Sequence, residues 1–326
     1  KTEGTPFFME EIVQELVEQG VLRQDAAVGW VVTHPTTALQ LPTTVQGVLA
    51  ARIDRLAPDE KALLQQLAVI GREFPLSLLR QVIAQPEDEL YRLLASLQRK
   101  EFLYEQPAFP EVEYIFKHAL TQEVAYGTVL QEQRKLLHER TGQALEALYT
   151  ATLHEHYDDL AHHYRRSFNT KKAIEYLHLA GQQAVQRSAN PEAITHLTAA
   201  LESLRTTPDT PERTQQELTL QIALGTPLQV TKGYAALEVE EVYTRARELC
   251  RQVGETPQLF SVVKGLYMFY LTQAEHKTAR ELAEHCLRLA ESTQNRAFLV
   301  EAHYALGNIL FYLGEFALTR EHFEQS

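Results

Sequence analysis

The feature that most constrains this fold is a spacing that recurs through the second half of the chain. From about Leu153 onward the pattern is almost purely helical, broken at short polar turns. Leu160-Ala161 and Tyr164 are followed by Ala173, Leu177 and Ala180; Leu266 and Tyr270 by Ala274, Ala279, Ala283 and Cys286. Leu306-Gly307 and Leu310 are followed by Gly314, Phe316, Thr319 and Phe323. In each case thirteen residues separate the leading Leu from a small residue in the following helix. Helices that cross closely need a small side chain at the crossing and a large one filling the groove beside it.

That is the two-helix spacing of a tetratricopeptide repeat. The expected architecture for 151–326 is therefore an α-solenoid of helical hairpins, whose concave surface suits docking of a protein or small-molecule ligand. The repeat is imperfect. Leu224-Gly225 to Cys250 carries an insertion around Thr231–Tyr234, and Thr206–Glu212 reads as a polar, Pro-bearing linker. An irregular helical bundle is the competing reading.

The first half of the chain is mixed. Residues 7–20 place Phe8, Ile12, Leu16 and Val17 at helical spacing, with Gly20 as terminator. Two short strands are expected at 21–23 and 29–32. A helix follows that Thr43 or Thr44 caps, with Val45, Val48, Leu49 and Ile53 on one face. Further helices are expected at Pro58–Ile70, Leu76–Ile83 and Glu87–Arg99, then β-rich runs at 102–104 and 113–116, then a helix from Ala119 to Leu130. Helices, a β-hairpin and another helix are the layout of a winged-helix-like domain. The fold class is thus mainly α, with that domain preceding the repeats.

Composition narrows the function. The 326 residues include 31 Lys plus Arg against 43 Asp plus Glu, a formal charge of -12. A phosphate backbone repels such a chain, and Gln98-Arg99-Lys100, flanked by Glu101, is too small a basic patch to reverse that. Nucleic-acid binding is not expected. The two cysteines, Cys250 and Cys286, sit in helical patterns and read as buried reduced thiols, not a disulfide framework. No run of eighteen apolar residues is present, so no membrane span is expected and the location expected is cytoplasmic. The start lacks an initiator Met and the end stops inside a helical pattern, so the expectation is a fragment.

No catalytic centre is expected. The chain has no Gly-x-x-x-x-Gly-Lys-Ser/Thr loop to cradle a triphosphate, no Gly-x-Gly-x-x-Gly, no Gly-x-Ser-x-Gly and no His-Glu-x-x-His. The densest polar cluster is His154–Asp159 with His162-His163. On one helix, His154, Asp158 and His162 would share a face and could approach a metal. Leu160 and Tyr164 claim the buried side of the same helix, so a solvated face is the stronger reading and no metal is expected. His118 starts a helix after the strand Tyr114–Lys117, where an imidazole can meet an anion; a capping or core role is the alternative.

Three segments carry a family resemblance: Gly4-Thr5-Pro6-Phe7-Phe8-Met9-Glu10-Glu11-Ile12, Val69-Ile70-Gly71-Arg72-Glu73-Phe74 and Tyr114-Ile115-Phe116-Lys117-His118-Ala119-Leu120. They resemble the bacterial STAND-class signal-transduction ATPases, above all those fused to a class III adenylate/guanylate cyclase domain, and the related maltose-activator-like regulators. The resemblance implies an ATPase lid segment over 1–55, the winged-helix-like domain over 56–150 and the repeats over 151–326. It implies that Gly4 and Pro6 belong to a lid motif packing on adenine, and that His118 meets the nucleotide's β-phosphate. The flanks depart from the family's Met-His-Asp, with Lys117 before and Ala119 after. ATP or ADP with Mg would sit in an upstream nucleotide-binding domain and none in this fragment. Ligand or partner binding on the repeats would bias ADP release, ATP binding, oligomerisation and an effector outside the chain. Two alternatives remain: a repeat scaffold without nucleotide dependence, and part of an ATP-dependent LuxR-type transcription regulator.

Overall fold

The structure is a computed structural model that describes residues 6–25, 29–33, 44–108, 111–254 and 258–326. The chain divides into two compact units, Lys1–Leu153 with Arg166–Phe168, and His154–Arg165 with Asn169–Ser326. The fold is mainly α, with small antiparallel strands confined to the first unit.

The first unit opens with α1 (Pro6–Glu18), stopped at Gly20, whose φ of 70° is left-handed. Strands β1 (Leu22–Asp25) and β2 (Gly29–Val32) pair antiparallel, and α2 (Val45–Asp54) starts where the Thr44 side chain accepts the Gly47 N–H. Then come α3 (Pro58–Ile70), β3 (Glu73–Pro75), α4 (Leu76–Val82), α5 (Glu87–Arg99), β4 (Leu103–Gln106) and β5 (Glu113–Phe116). The sheet order is β3-β5-β4, all antiparallel, with three helices interleaved in sequence. Strand β3 was not expected from sequence. It is three residues long and ends in Pro75, and only pairing with β5 reveals it. Leu63, Leu67, Leu93 and Leu97 are fully buried, and Phe74 meets Phe116 edge-on at 6.1 Å. Helices α6 (Ala119–Thr128) and α7 (Gln131–Leu148) complete the unit.

The second unit is a run of helices packed on their sequence neighbours. A 3-10 turn (Leu153–His156) leads into α8 (Tyr157–Arg165), α9 (Thr170–Gln186), α10 (Asn190–Arg205), α11 (Pro211–Lys232) and α12 (Leu237–Val253). Then follow α13 (Gln258–Thr272), α14 (His276–Thr293), α15 (Arg296–Tyr312) and α16 (Phe316–Gln325). The thirteen-residue pairs fall in the interior. Leu160 is 0% exposed and Ala173 3%; Leu266 is 2% and Ala279 0%; Leu306 is 6% and Thr319 7%. Tyr164, Leu177 and Ala180 are buried as well, and Tyr164 stacks on Tyr176 at 5.5 Å.

Three hairpins turn in the same way. Ser188, Ala274 and Gly314 take φ of 60°, 60° and 77°. The next residue's N–H closes each turn by donating five residues back: Ala189 to Ala184, Glu275 to Tyr270, Glu315 to Leu310. Gly314 and Ala274 are therefore turn residues, which corrects their placement as packing positions. Phe316 is corrected too: it starts α16 with 64% of its surface exposed, touching Phe311 edge-on at 5.8 Å. Tyr270 is half-buried, because its hydroxyl donates to Glu240 at 2.7 Å.

Glycines set the helix separations. A Cβ on Gly181 would lie 2.7 Å from Leu197, and one on Gly307 2.7 Å from Phe323. In both pairs sixteen residues separate the glycine from its partner. In the irregular repeat, the Tyr243 ring is wedged between Gly225 and Gly265, leaving neither room for a Cβ. Gly225 to Tyr243 is eighteen residues, so the insertion adds two, taken up at the turn where Gly233 adopts φ 90°. For Gly265→Ala, helix propensity favours Ala by about 1 kcal/mol. Overpacking against a ring held on both sides costs about 1–3 kcal/mol, so the substitution should destabilise. A urea midpoint at or above that of the unmodified protein would show that Tyr243 can give way.

Candidate functional site

The first unit concentrates charge around α1. The buried side of α1 is led by Phe8, Glu11 and Glu15, not by the purely apolar stripe expected from sequence; Ile12, Leu16 and Val17 are half-buried. The reason lies on α2. Arg52, 2% exposed, ion-pairs with buried Glu11 and with Glu18 at 2.7 Å, donates to the Lys100 carbonyl at 2.9 Å, and lies 4.8 Å from the centre of the Phe102 ring. Arg55 pairs with Glu15, and Lys117 reaches Glu10 at 2.5 Å and Glu101 at 2.7 Å. Every carboxylate of α1 thus faces a cation supplied by another element. The Lys117 hydrogen bond holds the Glu10 carboxyl below the usual range.

His118 lies beside this seam. It is the N-cap residue of α6 by backbone geometry (φ -137°, ψ 142°), but its side chain does not cap the helix. Burial pushes its imidazole below the usual histidine range, with Lys117 and Arg72 acting the same way and Glu11 and Glu10 opposing. Near neutral pH the ring is therefore uncharged, with one N–H to donate and one nitrogen to accept. Pro6 is the exposed first residue of α1, and Glu10, one turn later, bonds the residue next to His118. Two sequence candidates 112 residues apart are thereby brought to one end of the unit. Gly4 lies outside the described residues.

The second unit offers a groove along α11, α13 and α15. It encloses about 470 Å³ and is lined by Ile222, Thr226, Tyr234, Phe260, Met268 and Phe298, among others. Phe260 and Phe298 stack face to face at 4.1 Å, and Lys264 pairs with Glu301 at 2.7 Å on its wall. Phe260 and Phe298 cover each other's faces, so the groove offers a docking peptide or ligand side chain apolar groups such as Ile222 and Met268 beside a few oriented polar ones. Sequence reasoning found the repeats but not this lining, since Phe260, Phe298 and Tyr234 come from three separate repeats.

The His154, Asp158 and His162 grouping is not one helical face, because α8 begins at Tyr157 and His154 sits in the preceding 3-10 turn. Among the described residues, Asp158 instead meets Glu192 and His196 of α10, with His196 Nε2 at 3.0 and 3.9 Å from their oxygens. Cys250 and Cys286 are both buried and unbridged, and burial pushes the Cys286 thiol up to about 12, which makes it a poor nucleophile. Among the described residues no helix is long and apolar enough to cross a membrane.

No family model matches the chain. It is similar to an uncharacterized protein, R02095, of Rhizobium meliloti (strain 1021), with 24% identity over 324 residues. The match covers 98% of this chain and 30% of that protein, so the chain spans under a third of its relative's length. Among solved structures it is similar to BtubC (BKLC) from P. vanneervenii: TM-score 0.46, 12% identity, 76% of this chain and 89% of that one. It is also similar to PH0952 from Pyrococcus horikoshii, described as a Signal Transduction ATPase with Numerous Domains (STAND) with a tetratricopeptide repeat sensor: TM-score 0.38, 13% identity, 99% of this chain and 48% of that one.

Two outcomes test the charged seam. Arg52→Met should cost about 3–5 kcal/mol in urea unfolding, since it strands the buried Glu11 carboxylate. Combining it with Glu11→Leu should recover much of the loss, which a purely steric role for Arg52 would not allow. The second test is pH. A folded-state histidine pKa below its ordinary value means the unfolded chain binds more protons as pH falls through that range, so stability is lost on acidification. His118→Gln should flatten the decline in melting temperature between about pH 7 and 5. An unchanged slope would place the titration elsewhere.

Proposed function

We propose that this chain is the regulatory and sensing part of a larger cytoplasmic signal-transduction ATPase. In this reading the tetratricopeptide-like repeats dock a protein partner along the α11–α13–α15 groove. The α1 and winged-helix-like unit closes over nucleotide held by a domain outside the chain. The effector, a class III nucleotide cyclase in the preferred form and a LuxR-type DNA-binding region in the alternative, also lies outside it. The chain itself performs no catalysis.

The observation that carries this reading is the adjacency of α1 and His118. Through the Glu10–Lys117 ion pair, the helix that follows Gly4-Thr5-Pro6 is held beside an imidazole that burial keeps neutral. A neutral ring at a helix start can donate to a phosphate oxygen, and α6 presents its first amides there. Pro6 and His118 would then contact opposite ends of one nucleotide, the base and the β-phosphate. Mg and ATP or ADP are the implied cofactors, bound chiefly by the upstream domain.

The test is nucleotide content. A form of the protein that carries the preceding domain should co-purify with ADP, and His118→Ala should lower that content about tenfold, the loss expected for a charge-assisted hydrogen bond of about 1.5 kcal/mol. If the longer protein retains no ADP, the repeats act as a scaffold without nucleotide gating.

A further inference from the structure

Hairpins α13–α14 and α15–α16 are the same unit displaced by forty residues: Leu266 matches Leu306, Ala274 matches Gly314 and Ala279 matches Thr319. Their outer faces differ in side chains and in whether, among the described residues, a further helix lies against them. On α13, Phe260 stacks on Phe298 of α15, Lys264 pairs with Glu301, and the Tyr267 hydroxyl donates to the Ala305 carbonyl at 2.9 Å. Phe260 is 3% exposed and Ala283, on α14, is 0% exposed. Forty residues on, Val300 and Phe323 occupy those two positions and are each 41% exposed. Tyr304, the counterpart of Lys264, is 60% exposed and tilts against Phe323 at 5.9 Å. Phe311 is 53% exposed.

A solvated helix surface has no physical reason to carry Val300, Tyr304, Phe311 and Phe323 together, and such a cluster signals a covered surface. What covers it follows from the interface one repeat earlier, where the first helix of the next hairpin lays Phe298 on Phe260 and pairs Glu301 with the half-exposed Lys264. The relative from Rhizobium meliloti extends well beyond the matched region, which covers 30% of its length. We propose that the α15–α16 face is the docking surface for a further helical hairpin of the same polypeptide, continuing the forty-residue register. The incoming helix presents an apolar ring at the position forty residues after Phe298, to lie on Val300. It presents small side chains forty residues after Ala302 and Ala305, which are 0% and 4% exposed in α15. Each added repeat in such an array is stabilised mainly by its nearest-neighbour interface.

The experiment compares the 326-residue protein with one lengthened along its own reading frame by one hairpin. Hydrogen exchange of the α15 and α16 amides should slow at least about tenfold in the longer protein, since local opening must now also break the new interface. Tyr304→Glu should lower the melting temperature of the longer protein and leave that of the shorter one unchanged within error, which separates loss of docking from simple failure to fold. Equal effects in both proteins would overturn the proposal, as would a reading frame without the stated register. A concentration-dependent dimer of the shorter protein that persists in the longer one, and that Tyr304→Glu disperses, would assign the face to a second copy and also overturn it.

Discussion

The second unit depends on consecutive helices approaching each other at positions with almost no side chain. Where Gly181, Gly225, Gly265 and Gly307 stand, the neighbouring helix delivers Leu197, Tyr243 or Phe323 directly onto the backbone. Dispersion falls away steeply with distance, so a gap of even half an ångström along such a seam would forfeit much of the contact energy. The glycines cost helix propensity, about 1 kcal/mol each against alanine. The large side chain that each admits offsets this, since full burial of a Leu or Phe contributes about 1.5–3 kcal/mol. The alanines at 173, 193, 279 and 283 serve the same end with less cost, and all are essentially inaccessible to solvent.

This exchange explains why the repeats were legible in the sequence. The period is short, the small residue and its large partner lie on adjacent helices, and a local rule suffices. It also explains what failed. Gly314 and Phe316 stand at the expected offsets, yet one supplies the left-handed turn and the other an exposed ring, because offset alone does not say whether a neighbour lies beyond. The two-residue insertion before Tyr243 was visible as an irregularity. Its outcome, one ring held between two glycines forty residues apart, was not.

The first unit was legible in its elements and illegible in what joins them. The bounds of α3 and α5 follow from a proline start and a flanking glycine or lysine. The Arg52 cluster has no such local signature: its partners lie 41, 34 and 48 residues away in sequence, and a helix reading of α1 naturally assigns Glu11 and Glu15 to solvent. Periodicity reports only apolar faces, so it finds Phe8 but not the carboxylates that dock beside it. His118 was found through its motif, but its neutral state depends on burial and on Lys117 and Arg72, which only the assembled unit supplies.

A charged seam and an apolar one of equal area behave differently. Apolar burial at about 25 cal/mol per Å² is indifferent to salt and to the direction of approach. A buried ion pair contributes little net stability, because desolvation nearly cancels attraction, but it strongly disfavours any arrangement that strands one partner. Attachment of α1 by Glu10, Glu11, Glu15 and Glu18 therefore fixes its register against α2 and Lys117 more than it adds to the stability of the unit. Met9 and Val13 stay at the surface and Ile12, Leu16 and Val17 are only half-buried, so Phe8 is the apolar anchor beside these ion pairs. The repeats meet at their glycines through apolar contact, with part-exposed pairs such as Lys264–Glu301 beside them. Ion pairs thus set the register of α1, and the Glu10–Lys117 pair holds its first turns beside His118.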